Sequence, residues 1–508
     1  MKKITSVILS LLFVILALSA CGTPGEGDET STAPSALTTD RPEETSQTLD
    51  EWGREIVEDG IPETVRFDGS TLNILSRSDS GNRWQIDFYA KEENGTTLND
   101  AVFRRNERVK DRLGIDIQVT ERDGSYTVFS SNYAPFITAA YQSGSSELDV
   151  VGTYSLYGAQ YATQGYFANV LDLSANLDLS KVWWNANLVN DMTVNDTLYF
   201  LVGDMNITTL TRMLVTFFNK SLLESKMPDV DLYKTVLEGK WTIDYYSSLV
   251  KDLYDDVNGN QTADSDDRFA IVSTAPSEAY DGLAVSLDIP IIVRDSDGKW
   301  TVTDNTERII EALTKTAELY FGGNNNSFFT DLGTVQAIFA ADRAYFMSIT
   351  LDKASESYLA GMTSDFGILP DVKLNEDQEN YYTVPQDAFN LISVMGNTDE
   401  PDMVAAALAL LCAESYRDVT PRYFEEVMKY RYARDNESSQ MLDICRAGLR
   451  MDFATVNTLS LSDPGRWFRN TMHAGKETAG NIAGARVRSY FKAFANSLST
   501  FTEGYGSH

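Results

Sequence analysis

Residues 256–267 read DVNGNQTADSDD. Asp256, Asn258, Asn260, Asp264 and Asp267 fall at the first, third, fifth, ninth and twelfth places, with Thr262 at the seventh. Hard oxygen donors on alternate positions of a twelve-residue loop are what Ca²⁺ takes. A solvated acidic turn is the alternative reading, and a bound cation would be structural, neutralising clustered carboxylates beside a helix end. Little else in the sequence is built for catalysis. His473 and His508 are the only histidines, so a histidine base or histidine-rich metal centre lacks material. Neither a G-x-S-x-G elbow nor H-E-x-x-H occurs. Carboxylate pairs can hydrolyse glycosides, yet no compact acid motif stands out. Acidic residues number 74 against 42 basic ones, a formal charge of −32. Nucleic acid needs clustered Lys and Arg and is excluded as a partner.

The elements that must position any site begin after an address. Lys2 and Lys3 precede an apolar run from Ile4 to Leu18, shorter than the ~20 residues of a spanning helix. Residues 1–20 therefore read as a secretory signal. Residues 22–48 are rich in Gly, Pro, Ser, Thr and Glu and lack aromatic residues. Such a stretch cannot offset the entropy of ordering and reads as a flexible tether. The whole chain, 508 residues with 43% hydrophobic content, has room for two large or three average domains. Leu72–Leu75 reads as a strand. Leu98, Val102, Val109 and Leu113 form a helical stripe ended by Gly114, and Ile115, Ile117 and Val119 alternate as a strand. Leu148–Gly152 is another strand, so an α/β fold with mainly parallel pairing is expected. Later signals are a strand at Val215–Phe218, helix starts at Asn219, Thr242 and Pro401, a helix over 306–321, and an amphipathic helix carrying Val487, Tyr490, Phe491, Phe494 and Leu498. Cys412 and Cys445 lie in helical stripes; a disulfide and two buried thiols are both open.

Several stretches in this order resemble a known family. Leu18-Ser19-Ala20-Cys21 resembles a bacterial lipobox, implying cleavage before Cys21 and lipidation of its thiol. Gly165 to Leu173 resembles the family's G-x-φ-x-x-L-x-D-L pattern, and Phe217-Phe218-Asn219-Lys220 its aromatic-Asn-Lys step into a second lobe. Gly239–Thr242 resembles its helix start. Ile338 to Phe346 resembles F-x-x-G-K-A-A-M, with Asp342-Arg343 in place of Gly-Lys. The family is that of bacterial extracellular solute-binding proteins, family 1 and carbohydrate type, the lipoprotein components of ABC importers. The resemblance implies a two-lobed, periplasmic-binding-protein-like fold without enzymatic activity. Residues 65–212 plus 392–455 would form lobe one, and 213–391 plus 456–508 lobe two, with Cys21 and the tether occupying 21–64. The chain would be a monomer on the extracytoplasmic face of the cell membrane, held by lipid alone, handing a solute, an oligosaccharide by preference, to an ABC permease. A surface glycan-binding or sensory lipoprotein, and an extracellular glycoside hydrolase, are the rival readings. The 256–267 loop is similar to EF-hand and dockerin loops, departing at Gln261, where glycine is usual, and at Asp267, where glutamate is usual.

A sugar site needs flat rings and polar groups around hydroxyls, on loops after strand C-termini. That rule selects Ser76, Arg77, Ser78 and Trp84 after the first strand, and Tyr154 and Tyr157 after the Leu148–Gly152 strand. It also selects Ser348 and Thr350 after Ala344–Met347. Arg212 sits where the resembled chain crosses between lobes; Gln386 and Asp387 precede the return crossing. Tyr280 comes from the second block, and Arg466 and Trp467 match a position where related proteins place a stacking tryptophan.

Overall fold

The computed structural model describes residues 49–52, 54–78, 84–173, 176–274, 277–322, 325–354, 359, 362–424, 426, 436–473 and 485–506. The signal, Cys21 and residues 22–48 lie outside these, as do residues 79–83 of the first candidate loop.

Local sequence accounts for the elements. Helix Thr97–Leu113 buries Val102, Val109 and Leu113. It stops at Gly114, whose φ of 72° is left-handed, and a Cβ there would lie 2.0 Å from Asp68 Oδ1. Helix Lys220–Lys226 starts where the Asn219 side chain accepts from the Leu222 amide at 3.0 Å. Helix Ile243–Val250 starts where Thr242 accepts from the Tyr245 amide at 3.3 Å. Pro401 opens helix Pro401–Glu414, as its missing N–H permits.

Two main sheets result. The first contains β1 (Thr71–Ser78), β2 (Asp116–Asp123), β3 (Val150–Tyr154) and β11 (Asn390–Val394), in the order β11-β3-β1-β2. The second contains β4 (Leu214–Asn219), β5 (Phe269–Ser273), β8 (Ser327–Phe329), β9 (Ala344–Thr350) and β10 (Phe366–Leu369), in the order β10-β4-β9-β5-β8. A hairpin of β6 (Ile292–Arg294) and β7 (Trp300–Val302) stands apart. β1 runs parallel to β2 and β3, and β5 parallel to β8 and β9. The antiparallel members are β11 against β3, and β4 against β9 and β10. β4 and β11 are the strands that enter a sheet directly after the chain leaves the other one. The two crossings run side by side: Gln386 donates its amide to the Arg212 carbonyl at 2.8 Å, and Leu214 to Val384 at 3.0 Å.

The C-terminal third is where the expected lobe boundaries and the packing diverge. Helix Asn436–Ala447, expected with lobe one, packs against β10 and helix Leu232–Leu237 of the second sheet. The turn Thr458–Ser460, expected with lobe two, packs against helix Ser155–Ala162 beside the first sheet. Helix Ala485–Gly504 packs against β7, while Tyr505 meets Tyr199 at 4.9 Å between ring centroids. Helical periodicity says that a face is buried, not which sheet buries it. Cys412 and Cys445 are both free and buried thiols, and burial pushes both pKa values up. Among the described residues, no helix is long and apolar enough to cross a membrane.

Candidate functional site

The site is built around one buried cation. Arg77, at the end of β1, is fully buried. Its Nε donates to Asn390 Oδ1 at 2.8 Å, and Nη2 to the Ala388 carbonyl at 2.5 Å. Its guanidinium lies 4.4 Å from the ring centres of both Trp84 and Tyr154, a cation–π sandwich. Burial lowers its pKa to about 10. Arg77 thus ties the return crossing to the first sheet and orients Tyr154. It was expected to touch ligand; instead it braces the residues that face the cleft, and Trp84 stands behind with it. Asp87 is buried nearby and accepts from the Thr208 amide, the Thr208 hydroxyl and the Asn390 amide at 2.8, 2.6 and 2.9 Å.

In front of this brace lies a cavity of about 520 Å³ bordered by Tyr126, Tyr154, Leu156, Gln386, Asp387, Asp463, Arg466, Arg469 and Asn470. Tyr126, Tyr154 and Leu156 come from the first sheet's side, and Gln386 and Asp387 from the return crossing. Arg469 belongs to helix Trp467–His473, which packs on helix Ser277–Ser286 of the second sheet. Tyr126 is 57% exposed. Tyr157 stacks on Phe129 at 4.6 Å with ring planes 7° apart, presenting aromatic surface near it.

The polar groups form a chain of ion pairs. Arg212 Nη2 donates to Gln386 Oε1, and Arg212 pairs with Asp352 at 3.4 Å. Gln386 Nε2 donates to Glu278 Oε1 at 3.0 Å. Arg469 pairs with Asp281 at 3.3 Å and approaches Asp387 at 4.0 Å. Arg466 donates to Asp463 at 2.6 Å. Burial raises the pKa of Asp387, against the pull of Arg469 and Arg212. Burial also raises Asp281 well above the carboxylate range; Asp387 and Glu278 add to this and Arg469 opposes it. Burial pushes Asp352 upward too, but Arg212, Lys353 and Thr350 outweigh it and hold its pKa low. Two buried atoms here have no hydrogen-bond partner among the described residues, Arg212 Nε and Asp281 Oδ1.

Of the residues selected from sequence, Tyr154, Gln386, Asp387 and Arg466 border this cavity, and Arg212 and Tyr157 adjoin them. Others are placed differently. Ser76 is buried and donates to its neighbour's carbonyl at 3.1 Å. Ser78 closes β1 opposite Asp123. Ser348 is buried, its carbonyl accepting from Ser273 Oγ at 2.6 Å. Thr350 is buried and donates to Asp352 at 2.5 Å, so it orients that carboxylate. Tyr280 packs edge-on against Tyr320 at 5.4 Å, inside the second sheet's core. Trp467 is buried against Phe491 and Tyr490, with centroids 6.0 and 6.2 Å away, and offers no face for stacking. These corrections share a cause: a Tyr or Trp after a strand satisfies a core as readily as a ligand. Tyr126 and Arg469 were not selected. Tyr126 follows β2 in a loop equivalent to the one after β1, and Arg469 stands three residues after Arg466, at helical spacing.

The 256–267 loop turns at Gly259 and Gln261, whose φ angles of 70° and 61° are left-handed. Asp256 accepts from the Asn260 and Gln261 amides at 3.2 and 2.9 Å, and the Asn260 side chain donates to Asp264 at 2.6 Å. Asp267 is buried and accepts from the Val257 amide and Tyr254 hydroxyl at 3.0 and 2.8 Å. The donors are of the kind Ca²⁺ takes, but their present bonds close the loop on itself. Among the described residues, no three His, Cys, Asp or Glu side chains surround one point.

The buried carboxyls have a consequence for pH. Burial raises Asp87, Asp204 and Asp371 to about 6. A carboxyl with a raised folded pKa holds its proton more tightly when folded. Its stabilising contribution is complete below the ordinary value of about 4 and is lost as pH rises through about 6. Asp352, held low, works the other way. The melting temperature at pH 5.5 is therefore expected to exceed that at pH 7.5, by a stability difference of about 1 kcal/mol or more, at matched ionic strength. A melting point that falls on acidification would show that these carboxyls are ionised in the folded protein without penalty.

No family model matches the sequence, and no curated protein matches it. Solved structures do. The galacto-N-biose/lacto-N-biose I-binding protein of an ABC transporter from Bifidobacterium longum, in complex with lacto-N-biose, aligns over 87% of this chain and 99% of its own, with TM-score 0.52 and 13% identity. A cyclo/maltodextrin-binding protein complexed with maltotetraose aligns over 87% and 97%, with TM-score 0.52 and 11% identity. A family 1 extracellular solute-binding protein from Bifidobacterium longum subsp. infantis aligns over 85% and 100%, with TM-score 0.52 and 12% identity. With its paired sheets, double crossing and flanking helices, the chain has the two-lobed, periplasmic-binding-protein-like α/β fold of these solute-binding proteins.

Proposed function

We propose that the protein captures an oligosaccharide in the cavity beside Tyr126, Tyr154 and Arg469, and delivers it to an ABC permease from a lipid anchor at Cys21. The observation that carries this reading is the cavity's position. Its walls come from the first sheet's side, from the return crossing and from helix Trp467–His473, which packs on a helix of the second sheet, so a ligand there bonds both lobes and favours their closed arrangement. The polar groups suit a sugar. Each guanidinium already has a carboxylate partner. Carboxylates, amides and the remaining N–H donors of Arg469 can bond hydroxyls, and the exposed ring of Tyr126 offers a face to sugar C–H groups. An acidic sugar would add charge to an already anionic wall. The preferred ligand is thus a neutral oligosaccharide.

The test is calorimetric titration of the chain with neutral oligosaccharides, including maltotetraose and lacto-N-biose, and with uronate-containing ones. Neutral sugars are expected to bind and uronates to bind weakly. A bound sugar at a hundredfold excess over Kd stabilises by ~2.7 kcal/mol. Release of reducing ends by the pure protein would instead establish a hydrolase. Binding without dependence of cellular uptake on the protein would favour a sensory role.

Calcium at residues 256–267 is proposed on donor type and spacing. Calcium is expected to raise the melting temperature over that in EDTA, and substituting Asp264 with Asn to remove the difference. Equal melting points would leave the loop a self-bonded turn.

A further inference from the structure

A second cavity, of about 310 Å³, lies outside the site above. Its apolar wall includes Ile289, Ile291, Trp300, Phe453 and Phe468. The segment containing helix Trp467–His473 separates the two cavities: Pro464 and Phe468 border this one, Arg466 and Arg469 the other. The volume is at the small end of ligand sites, which are apolar with few convergent polar groups.

The charged groups at its border are Asp191, Asp288, Arg294, Arg450 and Asp452. Both cations are engaged. Arg294 donates to the carbonyls of Asn190 and Thr193 at 2.7 Å each and lies 4.4 Å over Trp300. Arg450 donates to Asp288 at 2.9 Å and lies 3.7 Å over Tyr382. Asp452 caps helix Phe453–Val456, accepting from the Thr455 amide at 2.9 Å. Asp191 differs, accepting no hydrogen bond from a described residue. Burial and the charge of Asp452 raise its pKa to about 6, against the pull of Arg450 and Arg294. An acid that accepts no hydrogen bond from a described residue, at the border of an apolar chamber, is met best by a cation carrying an apolar body.

We propose that this cavity is a binding site for a small organic ammonium ion, its charged head on Asp191 and its apolar body against Trp300, Phe453 and Phe468. The probe is phenethylamine at pH 7.5, where it is charged and Asp191 is ionised, with 2-phenylethanol as the neutral isostere, each titrated by calorimetry into the folded chain. Phenethylamine is expected to bind at least about tenfold more tightly than 2-phenylethanol, a ratio set by its charge. The Asp191→Asn variant is expected to remove that preference. Asparagine matches aspartate in size, and Asp191 accepts no hydrogen bond from a described residue that the substitution would break, so the variant folds. Equal affinity for the two probes, no binding of either, or a preference that survives in Asp191→Asn would each overturn the proposal. The comparison of isosteres on the unaltered chain decides it without any variant.

Discussion

Substituting Arg469 with alanine is expected to lower oligosaccharide affinity by about 100-fold or more, the effect of truncating one member of a buried, bonded charge pair. Arg469 is 9% exposed, borders the cavity, and stands between Asp281 and Asp387. Without it Asp281 and Asp387 lose a cation that opposes the effect of their burial. Breaking such a pair costs about 3 kcal/mol or more of stability. That cost alone would not identify a ligand contact, so the double variant Arg469→Ala with Asp281→Asn is the informative one. Removing the stranded charge is expected to restore much of the stability, measured by urea denaturation. Affinity is expected to stay low, because the donor to the sugar is still missing. Recovery of both together would make Arg469 a structural ion-pair residue and move the ligand site elsewhere.

The second large effect is on folding. Arg77→Ala is expected to destabilise the protein by about 3–5 kcal/mol. The side chain is enclosed by Trp84 and Tyr154, and its bonds to Asn390 and the Ala388 carbonyl hold the return crossing. Arg77→Lys is expected to recover only part of this, since an ammonium cannot lie flat between two rings while donating to separated acceptors. The urea midpoint measures both. A midpoint unchanged in Arg77→Ala would mean that the crossing is held by its backbone bonds alone. Because Arg77 orients Tyr154 without bordering the cavity, the lysine variant should retain ligand binding when folded.

These two arginines show how far sequence reasoning reaches. Arg77 ends a strand that the sequence predicts, and Arg469 lies in helix Trp467–His473, for which no sequence signal was read. Sequence selected Arg77 as a contact and passed over Arg469. The structure interchanges their positions: the first is sealed behind aromatic rings and the second borders the cavity. Trp467 and Tyr280 were displaced for the same reason. A large ring gains about as much from a core as from a ligand, so residue type does not separate the two fates.

Local signals were sufficient for several of the elements. The left-handed stop at Gly114, the caps at Asn219 and Thr242 and the helix at Thr306–Phe321 depend on neighbours within a turn or two, and chain order with its buried strands was enough for the α/β class. The joining of Arg212 to Gln386 across 174 positions, the assignment of helix Asn436–Ala447 to the second sheet and the closing of the 256–267 loop on itself were decided only by the tertiary structure. Such pairings depend on which surfaces meet when two sheets assemble. The energy of a buried ion pair depends on desolvation and on every neighbouring charge, quantities that have no value until the chain has folded.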